Sequence, residues 1–187
     1  MLPEIIEQVN NSEKMVSIPS KLFERNIITL FDEINSETAY EVILQLLYLA
    51  HSDKCKEIDI YINSPGGNVM DGLAICDTIR IIEKPVNVIV CGSAMSMGAI
   101  ILLSATGKRK MLKNSVVMIH SVRGSLQGSY HDQKSDFEET ERLQKDLIKI
   151  ICDKICMSFE DAMSYFVIDR YYNSELALQN KIVDEVL

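Results

Sequence analysis

The stretch IDIYINSPGG, residues 58–67, decides the fold of this chain. Isoleucine at alternate positions predicts a strand, and the Pro-Gly-Gly that follows predicts a tight turn. A helix is predicted after the turn as far as about Ile82, because Pro85 stops it, and residues 86–91 form a second apolar strand. Strand, turn, helix and strand over roughly 30 residues is typical of a βαβ unit. The pattern predicts an α/β protein with a mostly parallel sheet covered by helices.

The same alternation continues outward from this unit. We predict further strands at residues 27–31, 116–119 and 182–187, a turn at residues 92–95, and helices at about residues 36–51, 96–105, 132–157, 159–166 and 174–179. The helix that begins near Asp132 is longer than a domain of this size needs, and aliphatic residues crowd its second half. We therefore expect it to pack against another subunit.

Composition restricts the classes of protein that remain. The chain has 187 residues, of which 47% are apolar and 25% charged, as in a single globular domain and unlike a disordered or low-complexity protein. A net charge of −8 makes nucleic acid and anionic membranes poor partners. Residues 86–107 carry no charge, but polar and glycine residues interrupt them, which favours a buried strand and helix over a membrane span. The sequence has five cysteines without a C-x-x-C pair, and its start shows no secretory signal. Both observations predict a cytoplasmic protein.

Candidate functional groups cluster where the predicted strands end, and in parallel sheets that edge collects ligands and catalytic groups. Ser96 stands at a strand-to-helix turn, which exposes a nucleophile, although its local sequence by itself favours a helix cap. Gly66 and Gly67 can leave backbone N–H groups free to bind an oxyanion, and an ordinary turn is equally compatible. His120 is the best candidate for a general base, and a structural histidine is as compatible with the sequence.

Other kinds of chemistry are not indicated. His51 falls at a predicted helix end and His131 in a polar loop, so we expect structural and solvated roles for them. No two histidines stand three or four residues apart, so we expect no metal site. The phosphate-binding and dinucleotide-binding glycine motifs are absent from the sequence, so we expect no cofactor.

Several motifs taken together resemble the ClpP family, the proteolytic subunit of the Clp protease. They are YINSPGG at 61–67, GLAICDTI at 72–79, MSMGA at 95–99, GKR at 107–109, NS at 114–115, MIH at 118–120, QG at 127–128 and IVDEVL at 182–187. They stand in the family's order and cover the chain from about Leu2 to its last residue. The resemblance implies one domain over residues 1–187, with the ClpP/crotonase-like spiral of βαβ units and a protruding long handle helix.

The resemblance also implies a role for individual residues. Ser96 would be the nucleophile, His120 the general base, and Asp169 the residue that orients the imidazole. The N–H groups of Gly67 and Met97 would form the oxyanion hole. A substrate peptide would lie extended between the backbone after Gly67 and a strand near residues 124–127. The residues implied at this substrate site are Gly66, Asn68, Val69, Met70, Arg123, Gly124 and Ser125.

Family architecture implies a large assembly. Heptameric rings would stack into a tetradecamer with the active sites inside. Residues 1–18 would form an axial segment at the entrance, and a handle strand and helix at about residues 123–157 would join the rings. A hexameric AAA+ unfoldase would supply unfolded polypeptides, and no cofactor or metal would be needed.

The sequence departs from the family at two places. Ser121-Val122 replaces the usual Gln-Pro after His120, and Gly124-Ser125 replaces a Gly-Gly pair, so substrate preference and peptidase rate are open. Val167 and Ile168 stand where the family commonly has an Asp-Arg pair across the ring–ring interface, so we expect weaker or differently regulated ring stacking.

Three functions remain to be compared. The first is an ATP-dependent serine endopeptidase, driven by its partner unfoldase. The second is a weakly active or regulatory subunit that assembles with an active paralogue. The third and most remote is a crotonase-like acyl-CoA enzyme, which shares the spiral fold.

Overall fold

The computed structural model describes residues 3–9, 12–125 and 127–187. Its elements in chain order are β1 (Glu4–Val9), β2 (Ser12–Ser17), α1 (Ile18–Phe23), β3 (Ile27–Leu30), α2 (Ser36–Ala50), β4 (Ile58–Ser64), α3 (Val69–Ile81), β5 (Val86–Met95), α4 (Met97–Leu103), β6 (Arg109–Met111), β7 (Val116–Ile119), α5 (Tyr130–Ile155), α6 (Phe159–Tyr165), β8 (Arg170–Asn173), α7 (Ser174–Gln179) and β9 (Glu185–Val186). The sequence-based prediction of a mixed α/β fold is confirmed.

The central sheet has seven strands and is mostly parallel. Its main path is β3-β4-β5-β6-β9, with β7 beside β5 and β8 beside β7. Only the pairing of β7 with β8 is antiparallel in this sheet. The isoleucines at alternate positions of β4 are all fully buried, which is why this segment forms a central strand. The carboxyl ends of β4, β5 and β7 consequently lie side by side.

Helix boundaries follow local hydrogen-bonding side chains. Asn35 caps α2, where its side chain accepts from the N–H groups of Glu37 and Thr38, and Thr38 completes a capping box. Asn68 caps α3 in the same way, and the helix ends before Pro85 as predicted. The helix after Ser96 begins at Met97 and ends at Leu103, two residues before the predicted end, and every residue in it is buried.

The predicted turn at residues 92–95 is wrong, because β5 continues as far as Met95. Gly92 has a φ of 111°, and the pairing of β4 with β5 shifts its register here, so the strand bulges without ending. Side chains accept the hydrogen bonds of backbone N–H groups at the bulge. Ser115 Oγ accepts one from the N–H of Gly92, and Asn63 Oδ1 accepts one from the N–H of Ser93. The bulge allows β5 to pair first with β6 and then with β7.

Smaller corrections concern the ends of the chain. The predicted strand at residues 182–187 is reduced to β9, of two residues. The predicted axial segment contains the antiparallel hairpin of β1 and β2, while residues 1–2 and 10–11 of that segment lie outside the described residues. The structure also contains α1, β6 and β8, which the sequence analysis did not predict.

The long helix α5 confirms the predicted element, with 26 residues from Tyr130 to Ile155. Ser129 and Asp132 form a capping box at its start. Its first half is solvent-exposed, and its buried residues are confined to Leu147, Ile148, Ile150 and Ile151. Residues 121–125, which precede it, belong to no strand, so the predicted strand near residues 124–127 has no ladder within the described chain, and Leu126 lies outside the described residues.

Residues 86–107 form β5, α4 and the following turn inside the core, which agrees with the preference for a buried strand and helix. Among the described residues, no helix combines the length and the apolar composition that a membrane span requires.

Candidate active site

Ser96 occupies the sharp turn between β5 and α4. Its backbone has φ 53° and ψ −121°, a strained conformation for a residue with a side chain, and its N–H donates to the Met118 carbonyl 2.9 Å away. Ser96 stands at the cap position of α4, yet its side chain makes no capping hydrogen bond. The local preference for a helix cap is therefore wrong, and the hydroxyl is available for another partner.

That partner is His120. Its Nε2 lies 2.9 Å from Ser96 Oγ. The two residues meet because β5 and β7 are parallel neighbours in which Met95 pairs with Met118, so both strands end at the same edge of the sheet. Burial, followed by the charge of Arg123, lowers the pKa of His120 below its ordinary value of 6.5. The imidazole is therefore neutral near pH 7 and can accept a proton from the hydroxyl.

Asp169 is close to His120 but makes a different contact. Its carboxylate forms an ion pair with Arg123, at 2.5 Å between Oδ1 and Nη2. Nδ1 of His120 is buried and has no hydrogen-bond partner in the described part of the chain. The structure thus brings Ser96 and His120 together and leaves Asp169 bonded to Arg123.

The turn of Gly66 and Gly67 lies directly against Ser96. Gly66 has a φ of 95°, and a Cβ on it would lie 2.6 Å from the Ser96 Cβ and 3.2 Å from the Met97 nitrogen. Hydrogen bonds to Ile34 on both sides fix the turn, from the Ile34 N–H to the Gly66 carbonyl at 2.8 Å and from the Asn68 N–H to the Ile34 carbonyl at 2.7 Å. Only residues without a side chain fit between these neighbours.

Two backbone N–H groups beside Ser96 can serve as donors. Among the described residues, none accepts a hydrogen bond from the N–H of Gly67. The N–H of Met97 belongs to the first turn of α4, where a helix provides no carbonyl partner. Free donors beside a hydroxyl–imidazole pair are the groups that stabilise a negatively charged oxygen in acyl transfer.

A cavity of about 140 Å³ opens beside the Ser96 hydroxyl. Gly67, Met97 and Arg123 line it together with Ser96 and His120. Its apolar wall includes Val69, Ile100, Ile119, Val122, Leu147, Ile148 and Ile151. The residues from α4 and α5 were missed by the sequence analysis, because helical periodicity marks them as buried without saying what they face. The cavity can hold one apolar side chain next to the nucleophile candidate.

The other predicted substrate residues are more dispersed. Met70 is 57% exposed and does not line this cavity, and the side chain of Asn68 caps α3. Gly124 and Ser125 line a separate, shallower groove beside Phe137 on α5.

The remaining histidines do not join the site. Nδ1 of His51 lies 2.8 Å from the Leu47 carbonyl at the end of α2, which agrees with its predicted structural role. His131 is exposed and contacts the ring of Tyr130. Within the described residues, no group of three or more His, Cys, Asp or Glu side chains is placed to hold a metal ion.

These features define an α/β protein with a serine and a histidine paired at the carboxyl edge of its sheet, beside a glycine turn and an apolar cavity. The Clp protease family model matches residues 10–187 of the chain. The chain therefore belongs to the Clp protease family, a family of peptidases, and the family resemblance inferred from the motifs is confirmed.

Proposed function

We propose that this chain is the serine endopeptidase subunit of an oligomeric protease that hydrolyses unfolded polypeptides to short peptides. The observation that carries the proposal is the 2.9 Å approach of Ser96 Oγ to His120 Nε2 at a strained strand-to-helix turn. Membership of a peptidase family favours this reaction over that of an acyl-CoA enzyme.

In the proposed reaction, Nε2 of His120 accepts the Ser96 hydroxyl proton while Oγ bonds to the carbonyl carbon of the peptide. The carbonyl oxygen becomes negatively charged and accepts hydrogen bonds from the N–H groups of Gly67 and Met97, each worth about 3–4 kcal/mol in such a site. The imidazolium then gives its proton to the leaving amine as the C–N bond breaks. Water, activated in the same way by His120, hydrolyses the acyl-enzyme and restores Ser96.

Asp169 would complete the site by accepting a hydrogen bond from the Nδ1–H of His120, which fixes the tautomer and stabilises the imidazolium. The ion pair of Asp169 with Arg123 favours a second candidate, in which this chain is a weakly active or regulatory subunit that assembles with an active paralogue. A weakly active subunit would use the same reacting residues at a lower rate, whereas a regulatory subunit would not cleave the substrate itself.

The substrate would bind as an extended chain between Gly67 and residues 121–125, adding main-chain hydrogen bonds as a strand does. The segment 121–125 has no ladder partner in the described chain, so its backbone is available to such a peptide except at the Val122 N–H, which donates to Gln144 Oε1. An apolar substrate side chain would enter the cavity beside Val69, while Gly124 and Ser125 would contact residues further along the peptide.

A large assembly follows from this function, because one domain of 187 residues cannot enclose a chamber. We infer heptameric rings stacked into a tetradecamer, formed by this chain or together with a paralogue, and fed by a hexameric AAA+ unfoldase in the cytoplasm. Several large apolar side chains on α2 and α3 support burial against other copies, since a single chain leaves them exposed. They are Tyr40 at 63%, Leu44 at 47%, Tyr48 at 67% and Ile81 at 74% exposed.

A serine-reactive fluorophosphonate with an intact-mass readout tests the proposal. We expect one adduct on the assembled wild-type protein and none on Ser96→Ala. Ser93→Ala is the matched control, since Ser93 lies on β5 three residues before Ser96 but its hydroxyl donates to Asn63. Absence of an adduct on folded, assembled wild type, or an adduct that persists in Ser96→Ala, would refute the assignment of Ser96.

A further inference from the structure

Nδ1 of His120 is the one buried side-chain polar atom of the described residues that has no hydrogen-bond partner. Buried polar groups are almost always paired, because an unpaired one loses the hydrogen bonds it makes with water. The neighbouring Nε2 already faces Ser96. Within the described residues, no hydrogen bond to a carboxylate holds the ring in the tautomer whose Nε2 accepts the hydroxyl proton, and the Ser121 backbone nearby has the weakest influence on the pKa of His120.

The register of the sheet shows where that acceptor should come from. In the antiparallel pair of β7 and β8, Val116 lies opposite Asn173 and Ile119 opposite Arg170. One step further, the same register sets His120 opposite Asp169. Side chains directly opposite on antiparallel strands have Cβ atoms roughly 5 Å apart, so a carboxylate at this position is within reach of the imidazole.

Arg123 holds the Asp169 carboxylate instead. It follows His120 by three residues, on the segment 121–125, and this segment is tied to α5 by a hydrogen bond of 2.6 Å from the Val122 N–H to Gln144 Oε1. The Arg123 side chain is 67% exposed and the Asp169 side chain 34% exposed, so water reaches the ion pair. Exposed pairs of this kind are weak, and a modest change in the segment suffices to open one.

We propose that Arg123 is a positioning residue that keeps Asp169 away from His120, so that the hydrolytic site is complete only when the ion pair opens. The inference rests on the proposed function. Movement of residues 121–125, as a peptide pairs with the part of their backbone that belongs to no ladder, would withdraw the guanidinium. Asp169 would then turn to Nδ1–H of His120, and a bound substrate would activate its own cleavage.

The test compares the rate constant of fluorophosphonate labelling at Ser96 in matched variants, each checked for fold and oligomeric state. Arg123→Gln removes the cation and is expected to label about fivefold faster, the upper range for release of an exposed ion pair. Arg123→Lys keeps a cation opposite Asp169 and is expected to label more slowly than Arg123→Gln. Arg142→Gln, which removes a guanidinium paired with Glu139 and Asp146 on α5, is the control for loss of an exposed arginine.

The variant Asp169→Asn separates this mechanism from a general effect of charge. If Arg123 acts by withholding Asp169, the gain from Arg123→Gln disappears in the Asp169→Asn background. The pH profile gives a second readout: Arg123→Gln moves the acid limb of the labelling rate to higher pH, because a cation near His120 is lost and a carboxylate approaches it. Loss of the Arg123 charge alone moves the limb in the same direction, so the part of the shift that disappears in the Asp169→Asn background measures the approach of the carboxylate.

Three results would overturn the inference. One is an Arg123→Gln rate at or below that of wild type, and another is a gain that survives in the Asp169→Asn background. In both cases Ser96 is still labelled, so the proposed function stands. The third is the absence of an adduct in every variant, which would overturn the proposed function and the inference with it.

Discussion

The substitution Gly66→Ala tests how closely the glycine turn is fitted to the nucleophile candidate. The added Cβ would lie 2.6 Å from the Cβ of Ser96 and 2.7 Å from the Met95 carbonyl, whereas ordinary contact begins at 3.4 Å. Relief of the overlap requires the turn and Ser96 to separate by about 0.8 Å. A misplacement of roughly 1 Å between reacting groups lowers a rate by about 100-fold, so we expect a fall of this order in the labelling rate constant.

The same substitution should also destabilise the fold. Gly66 has a φ of 95°, which residues with a side chain rarely adopt, so alanine there costs about 1–3 kcal/mol of unfolding free energy. Urea unfolding followed by circular dichroism measures this loss separately from the loss of labelling. Both effects come from one added methyl group.

Gly98→Ala is the matched control for Gly66→Ala. Gly98 lies in α4, two residues from Ser96, but its added Cβ would meet nothing closer than 3.5 Å. We expect a labelling rate near that of wild type and equal or greater stability, because alanine is the better helix former. A folded, assembled Gly66→Ala protein that labels within threefold of Gly98→Ala would refute the argument that the turn positions Ser96.

Three further measurements test the site, the fold and the assembly. The acid limb of the labelling rate should have its midpoint below pH 6.5. Burial and a neighbouring guanidinium lower the pKa of His120, and only the neutral imidazole accepts the proton. A midpoint above pH 6.5 would contradict this. Asp184→Ala should lower the unfolding free energy, measured in urea, by about 1–3 kcal/mol, because the carboxylate accepts hydrogen bonds from the backbone and guanidinium of Arg109. An unchanged midpoint of urea unfolding would show that this contact does not stabilise the fold. In the proposed assembly, Val167 and Ile168, which are 66% and 57% exposed, would provide no ion pair between rings. Sedimentation velocity should therefore show dissociation at submicromolar concentration, and a stable tetradecamer there would contradict weak stacking.

The general fold could be predicted because its signals are local. Alternate isoleucines in β4 bury one face of the strand, and α2 and α3 lie close to the predicted helices. The bulge at Gly92 could not be predicted in this way, because its backbone is completed by Asn63 and Ser115, which lie on other strands or their approaches. A Gly-Ser pair looks the same in a turn and in a bulge until those partners are known.

Some residues of the candidate site could be predicted from the sequence, and others could not. Ser96 and His120 follow from the rule that parallel strands gather functional groups at their carboxyl ends, and their contact bears out that placement. The sequence analysis did not identify the residues of α5 in the cavity wall. The first half of this helix is long and polar, so the short buried stretch near Leu147 gives only a weak signal. Asp169 could not be selected by spacing, because the chain has 27 acidic residues and only a family resemblance marked this one.

The pairing of β7 with β8 explains why residues so distant in sequence belong to one site. This is the single antiparallel pair of the central sheet among the described strands, and its register carries Asp169 to the edge where β5 and β7 deliver Ser96 and His120. The strand ends therefore set the backbone positions of all three residues, while the side chain of Asp169 alone depends on the irregular segment that carries Arg123. In the mechanism we propose, Ser96 and His120 stay in place and only the Asp169 carboxylate moves. Hydrolysis would then begin only when a peptide binds.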